Sequence, residues 1–102
     1  MSLRVIVRPE ARAEITEAHD WYEAQQAGLG EQFEEALSAC YERICEHPDA
    51  FPHATQRLRR ARVERFPYLV FYEVVGDSVV VQCVFHDRRN PDVWLKRTTR
   101  DE

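Results

Sequence analysis

Between Tyr68 and His86 the chain carries two apolar runs, Tyr68-Leu69-Val70-Phe71-Tyr72-Glu73-Val74-Val75 and Val79-Val80-Val81-Gln82-Cys83-Val84-Phe85-His86, separated by Gly76-Asp77-Ser78. β-Branched and aromatic residues at this density make strands, and so short a polar turn joins them as an antiparallel hairpin. Neither run alternates cleanly between apolar and polar residues. Such a hairpin has to be covered on both faces, and the rest of the chain must supply helices for at least one of them.

The first half of the sequence contains those helices. Ala11, Ile15, Ala18, Tyr22 and Gln25 recur at helical spacing, with Trp21 beside them, and predict a helix over about 10–26. Pro9 suits its first turn, and Glu10 and Glu14 suit the positive end of its dipole. Gly28-Leu29-Gly30 breaks the pattern. Phe33, Leu37, Cys40/Tyr41 and Ile44 then form a second stripe that stops at His47-Pro48, because a residue before proline avoids the α region. Two helices joined by a short glycine link fold back as an antiparallel helical hairpin. Leu3–Arg8 reads as a short strand before them. Leu58, Ala61, Val63 and Phe66 mark another after them, with a spacing that suggests a bulge. Asp92-Val93-Trp94-Leu95-Lys96-Arg97 is expected to begin a short C-terminal helix. The order β-α-α-β-β-β predicts an α+β fold, a small mostly antiparallel sheet with the helical hairpin on one face. All 102 residues fit one domain.

Trp21, Tyr22, Phe33, Tyr41, Phe66, Phe71 and Phe85 are read as core. Tyr68 and Tyr72 share one strand face and Leu69 and Phe71 the other. With only two helices, the far side of the sheet is expected to present an open apolar face. A partner chain, the segment after Pro91 or a second copy would cover it.

Charge is divided unevenly. The net charge is −4, yet residues 1–56 carry four basic and eleven acidic side chains, whereas residues 57–102 carry ten basic and seven acidic. Five arginines, at 57, 59, 60, 62 and 65, crowd around a single Glu64. A basic stripe on an acidic chain points to a specific anionic partner, or to a solvated face paired with the acidic helices. An odd three cysteines fit no complete disulfide framework and suggest a reducing, cytoplasmic setting. No apolar run approaches the roughly 20 residues of a membrane helix, and the apolar start at Leu3–Val7 is too short for a secretion signal. Cys40 and Cys45 lie on different sides of a helix, and no metal-ligand spacing occurs, so no metal and no cofactor are expected. His86, Arg88 and Arg89 cluster at a strand end, where a rigid base can expose functional groups. Histidine can move a proton near neutral pH, and arginine can steady a phosphoryl group.

Taken together, Ala18-His19-Asp20-Trp21-Tyr22, Gly28-Leu29-Gly30-Glu31-Gln32-Phe33, Ile44 to Pro48, Arg65-Phe66-Pro67-Tyr68-Leu69-Val70-Phe71-Tyr72 and His86-Asp87-Arg88-Arg89-Asn90-Pro91-Asp92-Val93-Trp94 resemble the ParE/RelE toxin superfamily. These are the toxic halves of type II toxin–antitoxin, or plasmid stabilisation, modules in bacteria. The resemblance spans nearly the whole chain and implies the fold already reached. It also implies a cognate antitoxin as partner and growth inhibition as outcome. RelE-like members cleave mRNA on the ribosome with basic strand residues and a C-terminal Arg and Tyr; ParE-like members poison DNA gyrase without catalysis. Arg60, Arg62 and Arg65 stand on the middle strand with no lysine, Arg88 or Arg89 takes the C-terminal arginine position, and Trp94 stands where a tyrosine would be expected. An indole cannot do phenol acid–base chemistry. The chain is therefore closer to ParE-like members, with Arg60, Arg62, Arg65, Arg88, Arg89 and Trp94 as target- or anion-binding residues. His86, Arg88 and Arg89 become catalytic only under the RelE-like alternative. A third alternative is a degenerate member that binds antitoxin but is harmless.

Overall fold

The structure is a computed structural model, and residues 3–88 are described. Arg89, Trp94 and the helix expected from Asp92 lie outside the described residues. The elements run β1 (Arg4–Val7), α1 (Pro9–Gln25), α2 (Leu29–Glu46), β2 (Arg59–Arg62), β3 (Tyr68–Val75) and β4 (Ser78–His86). The four strands form one sheet in the order β1-β4-β3-β2. β2–β3 and β3–β4 are antiparallel, whereas β1 joins β4 in parallel. The helices form the expected antiparallel hairpin on one face.

Helix α1 opens on Pro9 without a side-chain cap, consistent with a residue whose missing N–H costs nothing there. Ala11, Ile15 and Ala18 are buried. The connection to α2 is built by Gly28, whose φ of 89° lies in the left-handed region, and by Glu23, whose carboxylate accepts the N–H groups of Gly28 at 2.8 Å and Gly30 at 3.0 Å. Those bonds hold the Glu23 carboxyl below its usual range and cap donors that the start of α2 would leave unmet. Phe33, Leu37, Cys40 and Ile44 then bury the inner stripe of α2, which ends at His47 as the following proline requires.

The bulge expected in β2 lies elsewhere. β2 is a regular four-residue strand, and the irregularity sits in the β3–β4 ladder, where Tyr72 pairs with Val81 and Phe71 with Cys83. Gln82 is the extra residue. It resets the alternation of β4, so that Val79, Val81 and Val84 face the helices while Cys83 and Phe85 face away. This explains why β4 reads as a continuous apolar run: the strand changes the parity of its inner face partway along. Glu14 of α1 accepts the Val84 N–H at 2.9 Å, beyond the point where β1 has stopped pairing with β4.

The far face is closed at its centre. Leu58, Phe71, Cys83 and Phe85 are 0–3% exposed, with Ala54 and Leu69 packed on them. The segment 53–58 folds onto this side, pinned by Thr55, whose hydroxyl accepts the Arg57 and Leu58 N–H groups. Each large apolar side chain buried there stabilises the fold by about 1.5–3 kcal/mol. The expectation of an open apolar face is thus overturned for this part of the sheet; a loop without regular structure provides a second core. Trp21 is the other correction, since it is 59% exposed. It sits about 100° around α1 from the Ala11-Ile15-Ala18-Tyr22 stripe, and burial follows the stripe. No helix among the described residues is long and apolar enough to cross a membrane.

Candidate functional site

Two grooves flank the region where β3 and β4 meet the ends of the helices. The first is lined by Glu17, Ala18, Trp21, Tyr22, Pro67, Tyr68 and His86. Its walls are aromatic and mutually braced. Trp21 meets Tyr22 edge-on at 5.2 Å between ring centroids, Tyr22 meets Phe66 at 5.0 Å, Phe33 meets Tyr68 at 5.1 Å, and Tyr68 meets His86 at 5.3 Å. Edge-to-face packing of this kind fixes ring orientations. Burial, with Tyr68 and Asp87 nearby, pushes the Tyr22 phenol above its ordinary pKa, so it stays a neutral hydroxyl at physiological pH.

His86 reaches this groove because Gln82 has shifted the parity of β4. Its Nδ1 accepts the Arg88 backbone N–H at 3.1 Å, which leaves the proton of the neutral ring on Nε2. Nδ1 is therefore already occupied, and Nε2 is the ring nitrogen left for other chemistry.

The second groove lies at the other side of the sheet edge, lined by Arg43, Phe51, Pro52, Arg60, Arg62, Leu69 and Asp87, with a volume of about 560 Å³. Arg60 pairs with Phe71 and Arg62 with Leu69, so both arginines share the face of the second core. β2 is the edge strand among the described residues rather than a middle one, and Arg65 stands in the turn after it with φ 72°, an unusual conformation for a residue with a side chain.

The arginine stripe is mostly spoken for. Arg57 approaches Glu73 at 3.5 Å. Arg59 donates to the Phe51 carbonyl at 2.7 Å and approaches Asp49 at 3.8 Å. Arg62 donates to Asp87 at 2.6 Å. Arg60 and Arg65 are the stripe members without an ion pair among the described residues. Arginines committed in this way are poor material for a phosphate cradle, since each would have to release a carboxylate or carbonyl first.

The structure therefore brings His86 together with aromatic residues of α1 and places Arg60 and Arg62 across the sheet from it. Asp87 stands between: it bonds Arg62, and its other oxygen lies 3.7 Å from His86 Nδ1, beyond hydrogen-bonding range. Glu17, Arg43 and Asp87 were not legible as groove residues from sequence. The position of Trp21 off the helical stripe was the available signal for the aromatic groove. Among the described residues no group of histidine, cysteine and carboxylate side chains could hold a metal ion.

Residues 5–91 match the family model for the ParE toxin of the type II toxin–antitoxin system parDE. No curated protein sequence matches significantly. Among solved structures, the chain superposes on one from the chromosomal ParDE toxin–antitoxin system of P. aeruginosa with a TM-score of 0.61 at 16% identity, covering 82% of this chain and 95% of that one. It superposes on a mutant of the E. coli toxin RelE in the free state with a TM-score of 0.70 at 17% identity, covering 98% of each chain. At these identities the likeness is one of fold.

Proposed function

The chain belongs to the ParE toxin family of type II toxin–antitoxin systems, and from that premise we propose that it is a growth-inhibiting toxin, neutralised by a cognate antitoxin protein, that acts by binding a protein target of the DNA gyrase kind rather than by cutting RNA. The observation that carries this reading is the separation of His86 from Arg60 and Arg62 on opposite faces of the sheet. RNA cleavage needs a proton-transfer group and a cationic stabiliser converging on one phosphate. Here the imidazole faces an aromatic groove, and Arg62 is neutralised by Asp87. An exposed tryptophan on a braced aromatic cluster is, by contrast, the kind of anchor on which protein interfaces depend.

The test is induced expression in bacteria of the native chain, of His86→Ala and of Trp21→Ala, with DNA-damage signalling and mRNA integrity followed together. The reading expects growth arrest with DNA-damage signalling, retained by His86→Ala and relieved by Trp21→Ala or by the antitoxin. Arrest with cleaved mRNA, abolished by His86→Ala, would overturn it, as would harmless expression of the native chain.

A further inference from the structure

Glu17, Trp21, Tyr22, Pro67, Tyr68 and His86 line a groove that differs in kind from the one across the sheet. Its four rings are set steeply to one another. Trp21 meets Tyr22 at 84° between ring planes, Tyr22 meets Tyr68 at 63°, and Tyr68 meets His86 at 73°. Rings placed in this way make walls that meet at corners, not one flat platform. The face of an aromatic ring carries the negative part of its quadrupole, and several rings around one space favour a cation there.

The formal charge on the lining has the matching sign. Glu17 stands four residues before Trp21, hence beside it on α1. It is exposed and has no ion pair among the described residues. No arginine or lysine lines this groove, whereas Arg43, Arg60 and Arg62 line the other. The last turn of α1, where Tyr22 sits, also lacks a basic residue, so the negative end of the helix dipole is not offset there. The backbone beside the groove is already spent. The Tyr68 N–H donates to the Phe66 carbonyl at 2.8 Å, the Tyr68 carbonyl accepts from Val63 at 3.0 Å, and the Pro67 carbonyl accepts from Asp87 at 2.8 Å. A peptide laid here finds no backbone partner at these residues; a compact ligand held by side chains needs none. The groove volume of about 560 Å³ falls within the roughly 300–1,000 Å³ of small-molecule sites.

We propose that this groove is a binding site for a free, small alkylguanidinium ion, which stacks its flat head on Trp21, donates to the Glu17 carboxylate and lays its alkyl tail against Pro67 and Tyr68. A guanidinium group suits these walls better than an ammonium group. It is planar, stacks on aromatic faces, sheds its water more readily and offers a carboxylate a two-pronged donor. A nucleobase can stack on Trp21 as well, but it is uncharged and gains nothing from the Glu17 charge. The site is defined by the walls and charge of the groove and does not depend on which target the toxin inhibits.

The experiment is an NMR titration of the full, isotope-labelled chain with butylguanidinium, with no target or antitoxin present. Saturable shifts are expected at the Trp21 indole N–H and at Tyr68 and His86, with half-saturation at roughly 1 mM. Butylurea has the same shape without the charge and should bind at least about tenfold more weakly. Glu17→Gln should weaken butylguanidinium binding about tenfold, the loss of one charge-assisted bond. Trp21→Leu, which keeps an apolar wall but removes the ring, should weaken it about threefold to tenfold. Both side chains are exposed, so both variants keep the fold. Equal affinity for butylurea, or unchanged affinity in Glu17→Gln, would overturn the proposal, as would uridine binding more tightly than butylguanidinium. A blocked Gly-Gly-Arg-Gly-Gly peptide that binds about ten times more tightly would also overturn it, by assigning the groove to a side chain of a partner protein. None of these failures touches the toxin reading, which is tested in cells.

Discussion

Gly30 of α2 packs against the backbone of His19 in α1, and replacing it with alanine tests how the hairpin is held. A Cβ built on Gly30 would lie 2.7 Å from both the backbone carbonyl oxygen and the Cδ2 of His19. The imidazole can swing aside; the carbonyl belongs to α1 and cannot. Relieving the contact to an ordinary separation demands that the helices part by roughly half an ångström, and overpacking of this kind costs about 1–3 kcal/mol. Alanine recovers up to about 1 kcal/mol of helix propensity over glycine. Gly30→Ala should therefore destabilise the fold by about 1–2 kcal/mol, lowering the melting temperature by about 5–15 °C in a domain of this size. Thermal unfolding followed by circular dichroism measures it. His19→Ala in the same chain should restore only part of the loss, since the carbonyl stays. An unchanged melting temperature for Gly30→Ala, or full restoration by His19→Ala, would refute the idea that backbone approach sets the hairpin.

Two further perturbations probe how the loop and the helix turn are secured. Tyr72 is fully buried, its phenol pushed up to about 12 by burial, and it donates to the Pro48 carbonyl at 2.7 Å; Tyr72→Phe should cost about 1 kcal/mol in urea unfolding and raise amide exchange in 48–58. Glu23 has a folded pKa below its unfolded one, so its contribution is fully present above the unfolded value and is lost as pH falls through the folded one; the difference in urea midpoint between the native chain and Glu23→Gln should be steady near neutrality and shrink progressively as the pH falls below the ordinary glutamate value of about 4.3.

Much of the architecture was written in periodicity. The stripes Ala11-Ile15-Ala18 and Phe33-Leu37-Cys40-Ile44 encode the helices directly, and Gly28 and Pro48 mark where they stop. What periodicity could not carry was the bulge at Gln82. A run apolar at every position hides which residues face which side, so neither the parity change nor the arrival of His86 beside Tyr68 was visible. The second core was hidden for a different reason. Ala54 and Leu58 belong to a segment with no repeat, and its fold depends on the Thr55 hydroxyl and the bridge between His53 and Arg59. The arginine stripe was legible as charge but not as engagement. That Arg59 and Arg62 are tied to Phe51 and Asp87 depends on tertiary contacts that no local pattern records.

DNA supercoiling by purified gyrase with the chain added tests the proposed binding of a gyrase-like target most directly. Dose-dependent loss of supercoiling, retained by His86→Ala and reversed by antitoxin, is the expected result. Undisturbed supercoiling, with ribosome-bound mRNA cut by the same preparation, would contradict it.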